Sequence, residues 1–448
     1  MPLKPSLQLV DRVLDNVPNR LLAIVLLAPL VAALLALPRP QDLLPTVALS
    51  LAGFAAAFSA IPHAAVKLGV KLNGVDLGKR ARPSSCMSHA DQWGDERANT
   101  RARASKVPRE PPIPQSLGLV SGSAFLIALI LTQVAHPDSK SKYDSMMLCV
   151  CFSILLGLAD DVMDIRWAHK LGLGLIGSLP LLVGYDGPTS IVVPGPLRFL
   201  VAHGGLLHEV ARLFVHPSAD GAVLELGLFY LAYILALIVF CTNAINILAG
   251  INGIETGQTL VAAVGVAFMD AREMATSPVN SPNYANHYFS LSIMLPFIAT
   301  TLALCSHNWF PARVFVGDVF PYYAGMTFAA TSILGHYSRS LLLLLIPQVF
   351  NFCYSAPQLF GLVPCPRHRL PSVNEKTHLL EPSKVAPGDA RSNMTVLCLA
   401  LRVFGTMRER SLTIVLLCAQ GLCTCAGLWA RAYLAQTFFA PQTAAAEV

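Results

Sequence analysis

Long hydrophobic blocks that contain no Asp, Glu, Lys or Arg recur along the whole of this sequence. Most of them approach the roughly 20 residues that an α-helix needs to cross a bilayer. A β-barrel is excluded, because its strands would alternate polar and apolar residues over short segments. With 13% charged residues the chain also lacks the charge of a soluble domain. The blocks are 21–37, 43–66, 116–135, 145–159, 171–185, 226–254, 257–269, 287–306, 319–338, 340–366 and 411–430.

These blocks predict an all-α polytopic membrane protein with about ten or eleven transmembrane helices. The basic loops predict its orientation. Residues 79–109 contain eight Lys and Arg against three acidic residues, and short loops of this kind stay in the cytosol. Nucleic-acid binding is the alternative interpretation of such a run, but a solvated loop is simpler, and no nucleic-acid partner is expected. The loops then expected on the cytosolic face are 67–115, 160–170, 242–257, 307–318 and 363–410.

Most of the unusual polar motifs fall on that one face. Asp160 and Asp161 end a hydrophobic block, and Asp164 and Lys170 follow. Asp160 and Asp164 share a helical face if the helix continues. Adjacent carboxylates repel each other near the hydrocarbon, so a counter-charge or a metal ion is expected. The alternative is a solvated helix end with snorkelling charges.

A second motif interrupts a charge-free block with Asn243, Asn246 and Asn252. Amide oxygens are hard ligands that suit Mg²⁺. Gly250 and Gly253 allow the backbone to approach a flat ligand closely. The alternative for asparagines in a membrane is hydrogen bonding between helices.

Two further motifs lie beside later blocks. Phe315 and Asp318 belong to a segment that is an ordinary turn or helix cap on its own. Arg367 and Arg369 flank His368, and guanidinium groups bind phosphate oxygens in pairs, so this segment is a candidate diphosphate clamp. A basic flank of a membrane span is the alternative.

Taken in order, these motifs resemble those of the eukaryotic UDP-N-acetylglucosamine–dolichyl-phosphate N-acetylglucosaminephosphotransferases. The resemblance runs from about Leu43 to Leu434. Members of that family start the lipid-linked oligosaccharide for N-glycosylation and are the target of tunicamycin. The matching motifs are GLADDV at 157–162, RWAHK at 166–170, NAINILAGING at 243–253, RVFVGD at 313–318 and PCPRHRLP at 364–371.

The resemblance implies a metal and a set of catalytic residues by position. Asn246 and Asp318 would hold Mg²⁺ on the diphosphate, and Arg367 would bind the same diphosphate. Lys170 would steady the phosphates. Asp160 and Asp161 match the acidic pair of the family, whose division of roles is open. The implied catalytic residues are therefore Asp160, Asp161, Lys170 and Asp318.

The resemblance also implies contacts with the rest of the nucleotide sugar. Phe315 and Gly250 would sandwich the uracil ring, while Leu77 and Asn252 would form hydrogen bonds with it. The residues expected around the N-acetylglucosamine are Trp167, His368 and Arg369.

The domain organisation follows from the blocks and the resemblance together. A small irregular cytosolic loop domain is expected after the penultimate span, and the active site is expected on the cytosolic face. The parts are an N-terminal extension at 1–42 that includes a candidate extra span, a transmembrane catalytic core at 43–366 with a basic insertion at 79–109, a substrate-binding loop at 363–410 and a last transmembrane helix at 411–438.

The expected reaction transfers N-acetylglucosamine 1-phosphate from UDP-N-acetylglucosamine to dolichyl phosphate and releases UMP. The resemblance places it in the endoplasmic reticulum membrane, with Mg²⁺ as cofactor, and implies a homodimer. Two alternatives stay open at this point. A nucleotide-sugar transporter or lipid flippase would carry charges near the bilayer midplane, and an enzyme of related chemistry would use another sugar nucleotide.

Overall fold

The structure is a computed structural model. It describes residues 11, 13–69, 72–74, 113–136, 139–201, 216–217, 223–366, 369–374, 376–385 and 393–438. The basic insertion at 79–109 lies outside these residues, as do Leu77, Arg367 and His368.

The described chain is a bundle of α-helices, which confirms the predicted all-α polytopic class. All eleven hydrophobic blocks contribute to helices. The helices are α1 Asn19–Leu35, α2 Leu44–Leu68, α3 Gly118–Ala135, α4 Lys140–Met163, α5 Trp167–Gly177, α6 Leu179–Val183, α7 Arg198–Val201, α8 Leu228–Ile247, α9 Ile254–Thr276, α10 Pro282–Asn308, α11 Val319–Leu334, α12 Ser338–Leu344, α13 Ile346–Leu359, α14 Val396–Phe404 and α15 Glu409–Phe438.

Six of the described helices are long and apolar enough to cross a membrane: α2, α3, α4, α8, α10 and α15. The bent pair α12 and α13, whose axes differ by 76°, raises this number to seven. This is fewer than the ten or eleven blocks, because α1 and α11 have 17 and 16 residues. In addition, Ser178 separates α5 from α6, and α9 carries several charged residues.

Short strands form three small antiparallel sheets within the described ranges. They are β1 Asn73–Gly74, β2 Ile113–Pro114, β3 Ser190–Val192, β4 His216–Pro217, β5 Val223–Glu225, β6 Ser372–Val373 and β7 Leu380–Glu381. The pairings are β1 with β2, β5 between β3 and β4, and β6 with β7. In the last sheet Ser372 lies opposite Glu381.

Helices α9, α10 and α11 form the centre of the bundle. Every residue of α11 is buried, and α10 packs against both α2 and α9. A second hydrophobic cluster joins the β6–β7 hairpin and α14 to the start of α15 and to the connection between α8 and α9. It includes Leu248, Ile251, Leu380, Leu397 and Leu412. The irregular segment after α13 therefore packs against the loop that follows α8.

Close packing of α4 on α11 determines where the polar motifs meet. A Cβ atom added to Gly157 would lie 2.4 Å from Cα of Val319 and 2.9 Å from the carbonyl oxygen of Asp318. Because glycine lacks this atom, the last turns of α4 can approach the first turn of α11 at backbone contact distance. The carboxylates that follow Gly157 therefore lie beside Asp318.

We expect Gly157→Ala to lower the midpoint of thermal unfolding of the purified protein, because the new Cβ would overlap the backbone of Val319. Overpacking of this kind costs about 1–3 kcal/mol of unfolding free energy. Gly172→Ala is the matched control, since a Cβ atom there meets no heavy atom within 4 Å. Equal midpoints for the two variants would contradict the close contact between α4 and α11.

Candidate active site

Three carboxylates, those of Asp160, Asp161 and Asp318, meet where α4 ends and α11 begins. We call them the carboxylate cluster. The backbone N–H of Asp318 donates a hydrogen bond of 2.8 Å to Oδ1 of Asp161. Gly317 makes this approach possible, because its φ is +67° and a Cβ there would lie 2.2 Å from Oδ2 of Asp161. The turn before α11 is thus shaped around the carboxylate of Asp161.

Asp160 is the most buried member of the cluster, with 4% of its surface exposed. Lys170, on the first turns of α5, places its Nζ 2.6 Å from Oδ2 of Asp160. The backbone N–H of Ile165 donates to the other carboxylate oxygen at 3.1 Å. The counter-charge expected for the acidic pair is therefore present within the chain.

Asp164 does not join the cluster. Helix α4 ends at Met163, and Asp164 adopts a left-handed conformation with φ of +48°. The helix does not continue, so the condition under which Asp160 and Asp164 would share a helical face is not met. The reversal of the chain at Asp164 instead leads into α5, which carries Lys170 back to Asp160.

Ser116 is a site residue that sequence reasoning missed. Its hydroxyl donates a hydrogen bond of 2.6 Å to Oδ2 of Asp161. Ser116 is fully buried and has φ of +66°. The segment around it pairs with the turn before α11, because Phe315 and Pro114 share a backbone hydrogen bond of 2.8 Å, as do Leu117 and Phe315 at 3.1 Å. A serine at the start of a hydrophobic block gives no signal of this contact in the sequence.

Asn246 completes the group from the last turn of α8. Its side-chain amide lies 3.2 Å from Oδ1 of Asp318. Burial, the hydrogen bond with Asp160 and the charge of Asp161 together raise the pKa of Asp318 above its ordinary value. Three carboxylates face one ammonium group here, which leaves a formal excess of negative charge. An added cation would stabilise the ionised form of this cluster.

The donor set fits a magnesium ion better than a metal held by protein ligands alone. Among the described residues, no three His, Cys, Asp or Glu side chains are arranged around one point as metal ligands. Mg²⁺ is commonly bound by one or two carboxylates together with substrate phosphates and water. Asp160 and Asp161 are engaged by Lys170 and Ser116, so Asp318 is the available carboxylate. The amide of Asn246 can turn its oxygen toward the same point, since the two ends of an amide are interchangeable.

The loop between α8 and α9, residues 248–253, follows Asn246 directly. We call it the α8–α9 loop. Gly250 has φ of +107°, and a Cβ there would lie 1.9 Å from Leu370, so only glycine fits. The backbone N–H of Gly250 donates to Oε1 of Glu255 at 2.9 Å. Through its contact with Leu370, the α8–α9 loop lies against the segment that contains Arg369.

Asn252 is buried within this loop, with 4% of its surface exposed. Its backbone N–H donates to Oε1 of Glu409 at 2.7 Å, and its carbonyl oxygen accepts from the hydroxyl of Thr413 at 3.1 Å. Sequence reasoning missed both of these partners. The one signal available was the position of Glu409 as a lone acid between two arginines at the start of the last block.

The remaining predicted site residues that the structure describes are Phe315, Trp167 and Arg369. Phe315 is half-buried three positions before Asp318. Trp167 is 57% exposed at the start of α5. Arg369 donates to the carbonyl oxygen of Met394 at 2.8 Å within its own segment. In the described part of the chain it forms no hydrogen bond or ion pair with the carboxylate cluster.

Comparison with known protein families adds independent information. The sequence model of the family described as glycosyl transferase family 4 matches residues 143–336. A protein of Dictyostelium discoideum named UDP-N-acetylglucosamine–dolichyl-phosphate N-acetylglucosaminephosphotransferase is 43% identical over 335 residues, which cover 71% of this chain and 77% of that protein. The carboxylate cluster and Asn246 both lie within the segment that the family matches.

Proteins of the same name in other organisms are also similar. One from Saccharomyces cerevisiae is 39% identical over 309 residues, which cover 61% of this chain and 64% of that protein. One from Leishmania amazonensis is 36% identical over 364 residues, which cover 69% of this chain and 76% of that protein.

We expect Lys170→Met to lower the unfolding free energy by about 2–4 kcal/mol, because Asp160 would be left buried without its partner. Adding Asp160→Asn to this variant removes the unpaired charge and should restore most of the loss. Thermal unfolding of the purified single and double variants measures both effects. If the double variant were less stable than Lys170→Met alone, the two side chains would not act as a pair.

Proposed function

Since the chain belongs to the family of UDP-N-acetylglucosamine–dolichyl-phosphate N-acetylglucosaminephosphotransferases, we propose that it transfers N-acetylglucosamine 1-phosphate from UDP-N-acetylglucosamine to dolichyl phosphate. The products are N-acetylglucosaminyl-diphosphodolichol and UMP. The observation that carries this proposal is the meeting of the carboxylate cluster, Lys170 and Asn246 at one end of a membrane bundle. One substrate is soluble and the other is a lipid, so such a site must lie where the bundle meets water.

Asn246 and Asp318 are the residues that we propose as ligands of Mg²⁺. When bound, this ion would neutralise negative charge on the diphosphate of the nucleotide sugar. Lys170 and Arg367 would bind the same phosphates from the protein side. This division of work suits phosphoryl transfer, which is catalysed mainly by positioning and by neutralisation of charge.

The acceptor phosphate of the lipid is the nucleophile. One of its oxygens forms a bond to the phosphorus that carries the sugar, and the bond from that phosphorus to the oxygen of UMP breaks. An acceptor phosphate is already ionised at neutral pH, so a strong base is not required. Asp160 orients the acceptor or takes its remaining proton, while Asp161 holds the backbone of Asp318 in place through the 2.8 Å hydrogen bond.

The α8–α9 loop and the turn before α11 would bind the nucleoside. We propose that Gly250 and Phe315 sandwich the uracil and that Leu77 and Asn252 form hydrogen bonds with it. The backbone N–H and carbonyl oxygen of Asn252 bind α15, and we propose that its side chain contacts the base. The sugar would be bound by Trp167, His368 and Arg369.

The orientation of the site, the membrane and the assembly are part of the same proposal. The proposed site faces the cytosol, because the basic loops of the sequence are expected to stay on that side of the membrane. The membrane is that of the endoplasmic reticulum, where dolichyl phosphate is consumed by the family. A homodimer is the proposed assembly.

We expect Asp318→Asn to reduce turnover at least about 100-fold, because the anionic ligand that would hold Mg²⁺ at the reacting phosphates is lost. The measurement is release of UMP from labelled UDP-N-acetylglucosamine by purified protein supplied with a short polyprenyl phosphate. Asp144→Asn is the matched control, since Asp144 is exposed near the other end of α4 and accepts a hydrogen bond from Gln133. Tunicamycin should abolish the wild-type signal.

Absence of lipid product with every polyprenyl acceptor would contradict the proposal. Labelled substrate accumulating inside sealed vesicles without lipid product would favour a transporter instead.

Removal of divalent cations should also abolish turnover. We expect a chelator to stop UMP release and added Mg²⁺ to restore it, because the carboxylate cluster carries excess negative charge where the diphosphate binds. Activity that persists after exhaustive chelation would exclude the assignment of Asn246 and Asp318 as metal ligands. The midpoint of thermal unfolding in the same samples controls for loss of folded protein.

A further inference from the structure

The first turn of α15 holds the α8–α9 loop by two hydrogen bonds to a single residue. The side chain of Glu409 accepts a hydrogen bond of 2.7 Å from the backbone N–H of Asn252. The hydroxyl of Thr413 donates one of 3.1 Å to the carbonyl oxygen of Asn252. Both side chains are buried, with 5% of Glu409 and 1% of Thr413 exposed. Asn252 is therefore fixed on both sides of its Cα by an element more than 150 residues away in sequence.

The other end of the α8–α9 loop is fixed from α9. Glu255 accepts the N–H of Gly250 at 2.9 Å. Gly253 has φ of +78°, and the ring of Trp309 packs where a Cβ would stand. With the loop held at both ends, the first turn of α15 sets the position of Asn252 relative to Gly250.

The residues on either side of Glu409 bind the N-terminal segment, residues 11 and 13–19. Arg408 donates from its backbone N–H to Oδ1 of Asp11 at 3.1 Å. The guanidinium of Arg410 is largely buried and donates to the carbonyl oxygen of Leu14 at 3.2 Å and to Oδ1 of Asn19 at 2.8 Å. The N-terminal segment thus packs directly against the turn that holds Asn252.

We propose that Glu409 and Thr413 are positioning residues for nucleotide recognition, and that Arg410, by binding the N-terminal segment, keeps their helical turn in place. The inference rests on the proposed function, and within it on the contact between Asn252 and uracil. Two buried hydrogen bonds hold the backbone of Asn252, from which its side chain extends. A carboxylate that accepts a backbone N–H forms a strong, short hydrogen bond.

A purely structural role is the alternative. Glu409 lies in the first turn of α15, where a negative charge stabilises a helix through its dipole. Thr413 also donates to the carbonyl oxygen of Glu409 at 3.2 Å. If this were the whole role, loss of either side chain would lower stability without changing the affinity for nucleotide.

Thr413→Val separates the two roles, because it keeps the shape of the side chain and removes the donor to Asn252. We expect the KM for UDP-N-acetylglucosamine and the Kd for UMP to rise about 3–10-fold, the usual effect of one hydrogen bond. The kcat and the KM for polyprenyl phosphate should stay within about twofold. Thr413→Ser restores the hydroxyl and should restore the wild-type values.

Thr424→Val is the matched control on the same helix. Thr424 is 5% exposed and accepts a hydrogen bond of 3.2 Å from Gln420, far from the α8–α9 loop in sequence. It should lower the midpoint of thermal unfolding without changing the Kd for UMP. Arg410→Gln should raise the Kd for UMP, as Thr413→Val does. Arg431→Gln is its control and should leave the Kd unchanged, because Arg431 pairs with Glu273 at the far end of α15.

The outcomes separate this inference from the proposed function. If wild-type protein releases UMP but Thr413→Val has an unchanged Kd for UMP, the positioning role is wrong and the transferase assignment stands. If Thr413→Val and Thr424→Val raise the Kd equally, the effect is one of general stability and the inference fails. If wild-type protein forms no lipid product at all, the proposed function itself fails.

Discussion

The backbone contact between α4 and α11 is the constraint on which the arrangement of the site depends. Helices in a membrane gain little from hydrophobic burial against one another, so small residues and polar contacts decide how closely they pack. A Cβ atom added at Gly157 would lie 2.4 Å from Cα of Val319. Glycine lacks this atom, so the two helices can pack this closely. The two aspartates that follow are then carried to the first turn of α11, and the turn before that helix must fold around Asp161. A larger residue at 157 would separate the acidic pair from Asp318.

This contact brings three carboxylates together, and the surrounding residues balance their negative charge only in part. Asp160 has Lys170 at 2.6 Å, and Asp161 has the hydroxyl of Ser116 at 2.6 Å. Asp318 has the amide of Asn246 at 3.2 Å, a neutral partner. An ammonium group and a hydroxyl group of the chain therefore bind the acidic pair. The negative charge of Asp318 is the least compensated of the three, because its partner is a neutral amide. An added cation would stabilise the ionised form of a cluster built in this way.

The sequence predicted the helical blocks and the residues of the cluster, because both are visible as local breaks in hydrophobicity. It could not predict which helices are central, since a block that is apolar on all sides does not indicate its direction of burial. Nor could it predict Ser116, Glu409 and Thr413. They act through backbone groups of distant residues, which leave no local pattern. Nor could it predict that α4 ends at Met163 and leaves Asp164 outside the cluster.

The two ends of the bundle differ in how their charges are compensated. At the end away from the cluster, Asp270 binds His287 at 2.7 Å, and Glu273 pairs with Arg431. Each of these acidic groups has a basic partner of its own, whereas at the cluster Lys170 pairs with Asp160 and the partners of Asp161 and Asp318 are neutral. A transporter must release its substrate on both sides of the membrane, so it would be expected to expose uncompensated polar groups along its path. Among the described residues, carboxylates gathered at one end of the bundle, beside individually partnered acidic groups at the other, form the pattern expected of a polar site on a single face.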